Sequence, residues 1–291
     1  MGLDINAVQF LIAARQEGVE FGDVLMLGRQ DLNVYPARMR EILAKHGFPT
    51  EAFAEGAPDT GFAEPVFKAL GAKNVFSLDA SNFEGAEFVH DLNQPLPPEL
   101  RERFDLVYDG GTLEHVFNFP VALKSCMEML RPGGQLFIHT ITNNYCGHGF
   151  YQFSPELFFR ALSPENGFEL HMMIAHAVGP YGRWYRVTDP EQIRARVDVI
   201  TLAPLQLILR AQRTKIVPVF AKPPQQSDYT PRWESAVSGT TTENAYKPSR
   251  PSLAKSLPGV SRLIHVLKMG LGTYHNQSLR NRAKFAPVPR P

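Results

Sequence analysis

Two cysteines, Cys126 and Cys146, are too few for a disulfide framework in 291 residues. No apolar run is long enough to span a bilayer. The nearest, Val199 to Leu209, is short and interrupted by Pro204 and Gln206. The opening MGLDINAVQF carries no basic segment ahead of an apolar core, so a secretory leader is not expected. Asn6 stands where myristoylation needs Ser or Thr. The expectation is a chain without a transmembrane segment in a reducing cytoplasm. Internal repeats are absent. Glycine is scarce at one telling place. After the apolar run Val24-Leu25-Met26-Leu27 only Gly28 remains of the three glycines in G-x-G-x-x-G, which argues against a nicotinamide cofactor.

What is present is an ordinary globular composition, 44% hydrophobic with a net charge of +1. The charge is unevenly spread. Residues 222–291 hold 11 basic and 3 acidic side chains, and residues 1–221 hold 19 basic and 26 acidic ones. Nine prolines fall in the same 70 residues, together with a Ser/Thr/Gly stretch from Ser235 to Thr242. Two units follow: a domain over 1–221 and a partly disordered basic extension over 222–291. Within the extension Val260, Leu263, Ile264, Leu267 and Leu271 form one helical stripe, an amphipathic helix. The tail reads as a solvated extension, with contact to an anionic surface as the second reading.

The body alternates short apolar runs with helical patterns. Strands are predicted at 24–27, 74–78, 86–90, 106–108, 136–138, 168–177 and 205–213. Helices are predicted after Asp4, over Pro36 to His46, from Phe62 to Leu70, after Asn118 and from Ser154 to Leu162, each with a capping residue or a proline in its first turn. Strand–helix–strand alternation implies an α/β, doubly wound, Rossmann-like sheet. The carboxyl ends of its parallel strands gather ligands at one edge. The polar residues at those ends are Gly28, Asp79, Asp91, Asp109 and Thr140.

The stretch Phe104 to Thr140 says more. FDLVYDGGTLEHV followed by LRPGGQLFIHT resembles the fourth and fifth strands of class I S-adenosylmethionine (SAM) dependent methyltransferases, in their small-molecule branch. The resemblance implies a seven-stranded sheet with an antiparallel last pair, and SAM as cofactor. It implies that Asp79 holds the ribose, that Asp91 and Leu92 flank the adenine, and that Gly28 and Asp109 border the ligand. The first strand departs from the family pattern. Met26 stands where an acid is usual, and Gln30 and Leu32 stand where glycines are usual. Either this loop takes another path, or the amino-acid end of the cofactor is held differently, as by Arg29 and Asp31 pairing with its charges, or SAM is not bound.

The implied enzyme transfers a methyl group to a small molecule or glycan, preferably at oxygen. The other reading is a non-catalytic methyltransferase-fold binding or assembly module. An oxygen nucleophile needs a proton acceptor, and histidine is the default near neutral pH. His148, in a glycine-aromatic loop after the fifth strand, is the first candidate, with His115 and Glu114 beside it. Glu114 and His115 resemble part of a carboxylate-imidazole metal cluster of some RNA-end methyltransferases, and His148 could complete it, but the full cluster is not visible, so no metal is expected. The Asp/Asn-Pro-Pro-Tyr signature is absent. Asp109-Gly110-Gly111-Thr112 takes its place, so DNA is not an expected partner. Tyr145, Phe150, Tyr151, Phe153 and Trp184 are candidates for an aromatic acceptor wall.

Overall fold

The computed structural model describes residues 2–57, 60–179, 182–229 and 277–291. The helical stripe expected at 260–271 lies outside them. The main sheet has nine strands: β2 (Gly22–Leu27), β4 (Ala72–Asp79), β5 (Phe88–Val89), β6 (Phe104–Asp109), β7 (Leu130–Asn143), β8 (Phe168–Ala177), β9 (Trp184–Val187), β10 (Leu205–Arg213) and β11 (Phe285–Val288). A two-stranded ribbon of β1 (Gly2–Leu3) and β3 (Asp31–Leu32) stands apart. Among the described residues six helices accompany the sheet: α1 (Ile5–Gln16), α2 (Pro36–Lys45), α3 (Glu64–Ala69), α4 (Phe119–Met129), α5 (Pro155–Ala161) and α6 (Pro190–Ile193).

The strand order is β11-β9-β8-β10-β7-β6-β2-β4-β5. The β5-to-β7 strands run parallel, and β10 runs antiparallel to both β7 and β8. The expected seven strands and their antiparallel closure are all there. The expectation of seven is corrected by two further strands, β9 and β11, added beyond β8. The last of these comes from beyond residue 221. It escapes a sequence reading because it is four residues long and contains Pro287. Proline is tolerated there because an edge strand needs partners on one side only.

Each central strand is buried on both faces, as parallel strands must be. Leu25, Leu27 and Val107 pack on one side with Leu123 and Met127 of α4 and Phe158 of α5. Val24, Met26, Leu106 and Tyr108 pack on the other with Phe10 and Leu11 of α1, Met39 of α2 and Phe67 of α3. Met26, the residue in place of an acid, is thus a core side chain. Among the described residues no helix is long and apolar enough to cross a membrane.

The helix starts follow the local chemistry. The Asp4 carboxylate accepts a hydrogen bond from Ala7 N, 2.8 Å, and the Ser154 hydroxyl accepts one from Glu156 N, 3.3 Å. Asn118 departs from its expected capping role. Its amide donates instead to Asn93 O, 3.0 Å, tying the start of α4 to the loop after β5.

The C-terminal segment is held at both ends. Phe285 is fully buried in the core on the α4 side, and Arg290 donates to Asn6 Oδ1 and Gln9 Oε1 of α1 at 2.7 and 2.8 Å. Removing a phenylalanine ring from such a site costs about 3–5 kcal/mol. Phe285→Ala should lower the unfolding free energy by about that amount in a denaturant titration. A loss below about 1 kcal/mol would show that this strand does not contribute to the core.

Candidate active site

The chain order makes β2 and β6 neighbours on either side of the point where the strand order reverses. Ligands of open α/β sheets bind in the crevice beyond the carboxyl ends at that point. Leu27 and Asp109 sit opposite each other at the two tips. Gly28 turns the chain out of β2 with φ +69°, and its N–H donates to Leu78 O, 2.7 Å. Thr112 Oγ1 donates to Leu27 O, 2.7 Å, which ties the β6 exit to the β2 exit.

Asp79 ends β4. Its Oδ1 accepts from Ser81 N at 3.2 Å, and its Oδ2 faces Gly28, 3.8 Å from where a Cβ would stand. That is an acid at the end of the second parallel strand with one oxygen turned to the crevice, the arrangement that takes ribose hydroxyls. Asp91 is differently used. Its Oδ1 accepts from Asn93 N and Nδ2 at 2.9 and 2.8 Å, hydrogen bonds that hold its carboxyl below the usual range. Leu92 beside it is buried in the core.

Arg29 turns away from the crevice. Its Nε donates to Glu64 Oε1 at 2.6 Å, its Nη1 donates to Glu84 O at 3.1 Å, and its guanidinium lies 3.9 Å from the Phe62 ring centre. Asp31 is exposed in the β1–β3 ribbon. The expected pairing of Arg29 and Asp31 with a charged ligand end is therefore not preformed, because α3 and its preceding turn claim the arginine.

The residue that does face the crevice is Gln30. It is 2% exposed. Its Nε2 donates to Leu27 O, and its Oε1 has no partner. A Cβ on Gly110, at the tip of β6, would lie 2.0 Å from that Oε1. Gly28 and the Asp79 Oδ2 leave room for an adenosine beside the tip of β4, and the Gln30 carboxamide occupies the gap between the tips of β2 and β6.

The turn after β6 builds the second part of the site. Asp109 is fully buried, and its Oδ1 accepts from Thr112 N and Leu113 N at 2.8 and 3.3 Å. Burial pushes its carboxyl up to about 6. The 3₁₀ turn Leu113–His115 follows. Glu114 points inward, fully buried, with Oε2 accepting from Thr140 Oγ1 at 3.0 Å and Oε1 unpaired. Burial, and then the neighbouring Asp109, push the Glu114 carboxyl up to about 8.

Its backbone carbonyl accepts from Phe150 N and Tyr151 N at 2.9 and 3.2 Å. The glycine-aromatic loop thus hangs from Glu114. Gly149 allows it, since a Cβ there would meet Glu114 O at 2.8 Å. This attachment brings His148 to His115, ring centres 5.1 Å apart. Burial, and then His148, lower the His115 pKa from 6.5. One ligand atom each from Glu114, His115 and His148 lie within 4.8 Å of one another. A carboxylate with two imidazoles is a donor set suited to a small divalent cation, so the geometry accommodates a metal that the sequence reading did not expect.

The aromatic wall is dispersed. Phe153 is a core residue, and Tyr151 packs on Phe119 and donates its hydroxyl to Phe117 O, 2.7 Å. Trp184 lies against α1, its Nε1 donating to Asn6 Oδ1 at 3.1 Å. Only Phe150, paired edge-on with exposed Phe117, and Tyr145, edge-on to His148, remain at the surface of the loop. A polar cavity of about 570 Å³ opens at the opposite edge of the sheet beside Glu17, Asp105, Gly133 and Arg210, away from these groups.

Three residues escaped the sequence reading as site elements. Gln30 and Thr112 hold the crevice between β2 and β6. His176, near the end of β8, joins His139, inside β7, in a buried pair with ring centres 5.5 Å apart. His139 was legible as a strand end. His176 needed the β8–β10–β7 register, which places both rings beside Gln206 and Ile208.

Comparison with known proteins follows this geometry. Residues 63–138 match the family described as "Methyltransferase domain". A ubiquinone biosynthesis O-methyltransferase of Parvibaculum lavamentivorans is 37% identical over 101 residues, 30% of this chain and 39% of that protein. One from a Chelativorans species is 28% identical over 151 residues, 47% and 54% of the two chains. The chain spans about half or less of these curated relatives. Among solved structures, a SAM-dependent methyltransferase of Thermotoga maritima, described as a possible histamine N-methyltransferase, is similar over 72% of this chain and 90% of that one, at 17% identity and a TM-score of 0.35. The YcgJ protein of Bacillus subtilis covers 72% and 98% at 9% identity and a TM-score of 0.39. At that level the solved structures add nothing to the assignment. Residues 63–138 are thus similar to a methyltransferase domain, and the strand order around them is that of an open, doubly wound α/β sheet.

His176 provides a test of the buried edge. Burial, and then His139, lower its pKa to about 4. A histidine depressed from 6.5 is neutral in the folded state and must gain a proton to match the unfolded chain. Its stabilising contribution is therefore complete above pH 6.5 and is lost as pH falls toward 4. Denaturant titrations across that window should show a decline that is flatter in His176→Gln. Equal slopes in the two proteins would refute the assignment.

Proposed function

We propose that the protein is a SAM-dependent methyltransferase acting on a hydroxyl oxygen of a small molecule. One observation carries this reading: Glu114, His115 and His148 converge at the same sheet edge as the open oxygen of Asp79. Bound SAM supplies an electrophilic methyl group. The protein's own residues do the rest. Asp79 and Gly28 hold the adenosine end. An imidazole of the His115–His148 pair takes the proton of the acceptor hydroxyl, and burial, then His148, lower the His115 pKa and favour its basic form. Because burial pushes its carboxyl up, Glu114 carries less negative charge beside the acceptor than a solvated carboxylate would. Exposed Phe150 and Phe117 offer an apolar margin for the acceptor's body.

Oxygen is favoured by the names of the curated relatives, which are O-methyltransferases. A glycan acceptor has no observation of its own in support. A cytoplasmic setting is consistent with free Cys126 and Cys146. A purely binding role would leave the convergent cluster without a use.

The test joins binding to turnover. Calorimetric titration with SAM and S-adenosylhomocysteine should show binding, and methyl-labelled SAM with a panel of hydroxylated small molecules should yield O-methyl products. His148→Ala should lower kcat/KM about 10²-fold. Asp79→Ala should weaken cofactor binding instead. With His115 as base, the acidic limb of the pH–rate profile has its midpoint below 6.5, because burial and His148 both lower its pKa. Folded protein that binds neither compound would remove the enzyme reading.

A further inference from the structure

The place where the strand order reverses is normally left open for a ligand. Here a side chain of the protein fills it. Gln30 lies between the tips of β2 and β6 with its carboxamide aimed across the gap. Nε2 donates to Leu27 O and lies 3.5 Å from Gly28 O, so two backbone carbonyls of the β2 exit face one NH₂ group. Oε1 is buried against Gly110 with no partner. A buried carbonyl oxygen without a hydrogen bond is costly and calls for an explanation.

The backbone around Gln30 cannot retreat to make room. Ala63 N donates to Gln30 O, 2.9 Å, and Asn33 N donates to Leu3 O, 2.8 Å. β1 pairs with β3 directly after it. What can move is the side chain, by rotation about its own bonds. Swinging out would leave two carbonyl acceptors and an open space beside Gly110. Two converging carbonyls suit a cationic N–H donor such as an α-ammonium group. Asp79, which accepts from Ser81 N, shares no hydrogen bond with the carboxamide that rotates.

We propose that the Gln30 carboxamide is an internal occupant of the subsite for the amino-acid end of the cofactor, and that the end displaces it on binding. The proposal rests on the methyltransferase reading. Its consequence is specific. The amino-acid end adds little net affinity in the native protein, because each contact it makes replaces one that Gln30 already makes.

Two ligands separate the halves of the site. S-adenosylhomocysteine carries adenosine and the amino-acid end, and 5′-methylthioadenosine lacks the latter. In calorimetric titrations the native protein should bind the two within about threefold of each other. Gln30→Ala should tighten S-adenosylhomocysteine about tenfold and leave 5′-methylthioadenosine within about twofold. Unchanged or weaker binding of S-adenosylhomocysteine by Gln30→Ala, or equal tightening of both ligands, overturns the proposal and leaves the methyltransferase reading intact. Failure of both ligands to bind either folded protein overturns that reading, and the proposal with it. A second measurement needs no variant. In ¹⁵N–¹H spectra of the native protein the Gln30 side-chain NH₂ signals should shift with S-adenosylhomocysteine and stay in place with 5′-methylthioadenosine. Signals that stay in place with both overturn the proposal.

Discussion

The site depends on one buried carboxylate. Asp109 ends β6 with no access to water, and its Oδ1 receives two backbone N–H groups from the turn that follows. Those bonds fix the 3₁₀ turn that drives Glu114 inward, and the Glu114 carbonyl then carries the loop with His148. A charge in that position is expensive, and desolvation raises the pKa accordingly. Burial, and only then Asp109, push the Glu114 carboxyl up as well. One structural acid thus sets the geometry of the histidines and adds to the shift of their neighbour.

Much of the fold was legible because its signals are local. Val24 to Leu27 and Leu106 to Tyr108 are continuous apolar runs of the kind parallel sheets bury on both faces, and β8 and β10 match the expected segments residue for residue. Asp4 and Ser154 cap as side chains of their type do. β11 was not legible, since a four-residue edge strand containing Pro287 has no periodicity to show. Asn118 was misread for a different reason. A cap was chemically available to it, and a tertiary partner, Asn93, took the side chain instead.

The site divides in the same way. Asp79 and Glu114–His115 follow from strand ends and short motifs, whose positions the sequence carries directly. His148 was reachable as a loop residue, but its approach to His115 depends on Gly149 lying against the Glu114 carbonyl. Arg29 looked like a ligand contact because of its position. Phe62 and Glu64, more than thirty residues on, decide its direction. Gln30 could be seen as a missing glycine. That its amide folds back into the vacated space depends on the width of the gap between β2 and β6, which no local pattern encodes.

The attachment of the loop at a single carbonyl also has a dynamic meaning. Phe150 N and Tyr151 N both end on Glu114 O, while Phe153 N and the Thr142 hydroxyl hold the far end of the loop to β7 and its continuation. Breaking those two bonds leaves the Tyr151 hydroxyl on Phe117 O and Tyr145 N on Gln152 Oε1, so the middle of the loop loosens without disturbing any strand. Such an opening is local and belongs to the low-energy end of a protein's fluctuations. The two amides on Glu114 O then exchange with solvent as a unit.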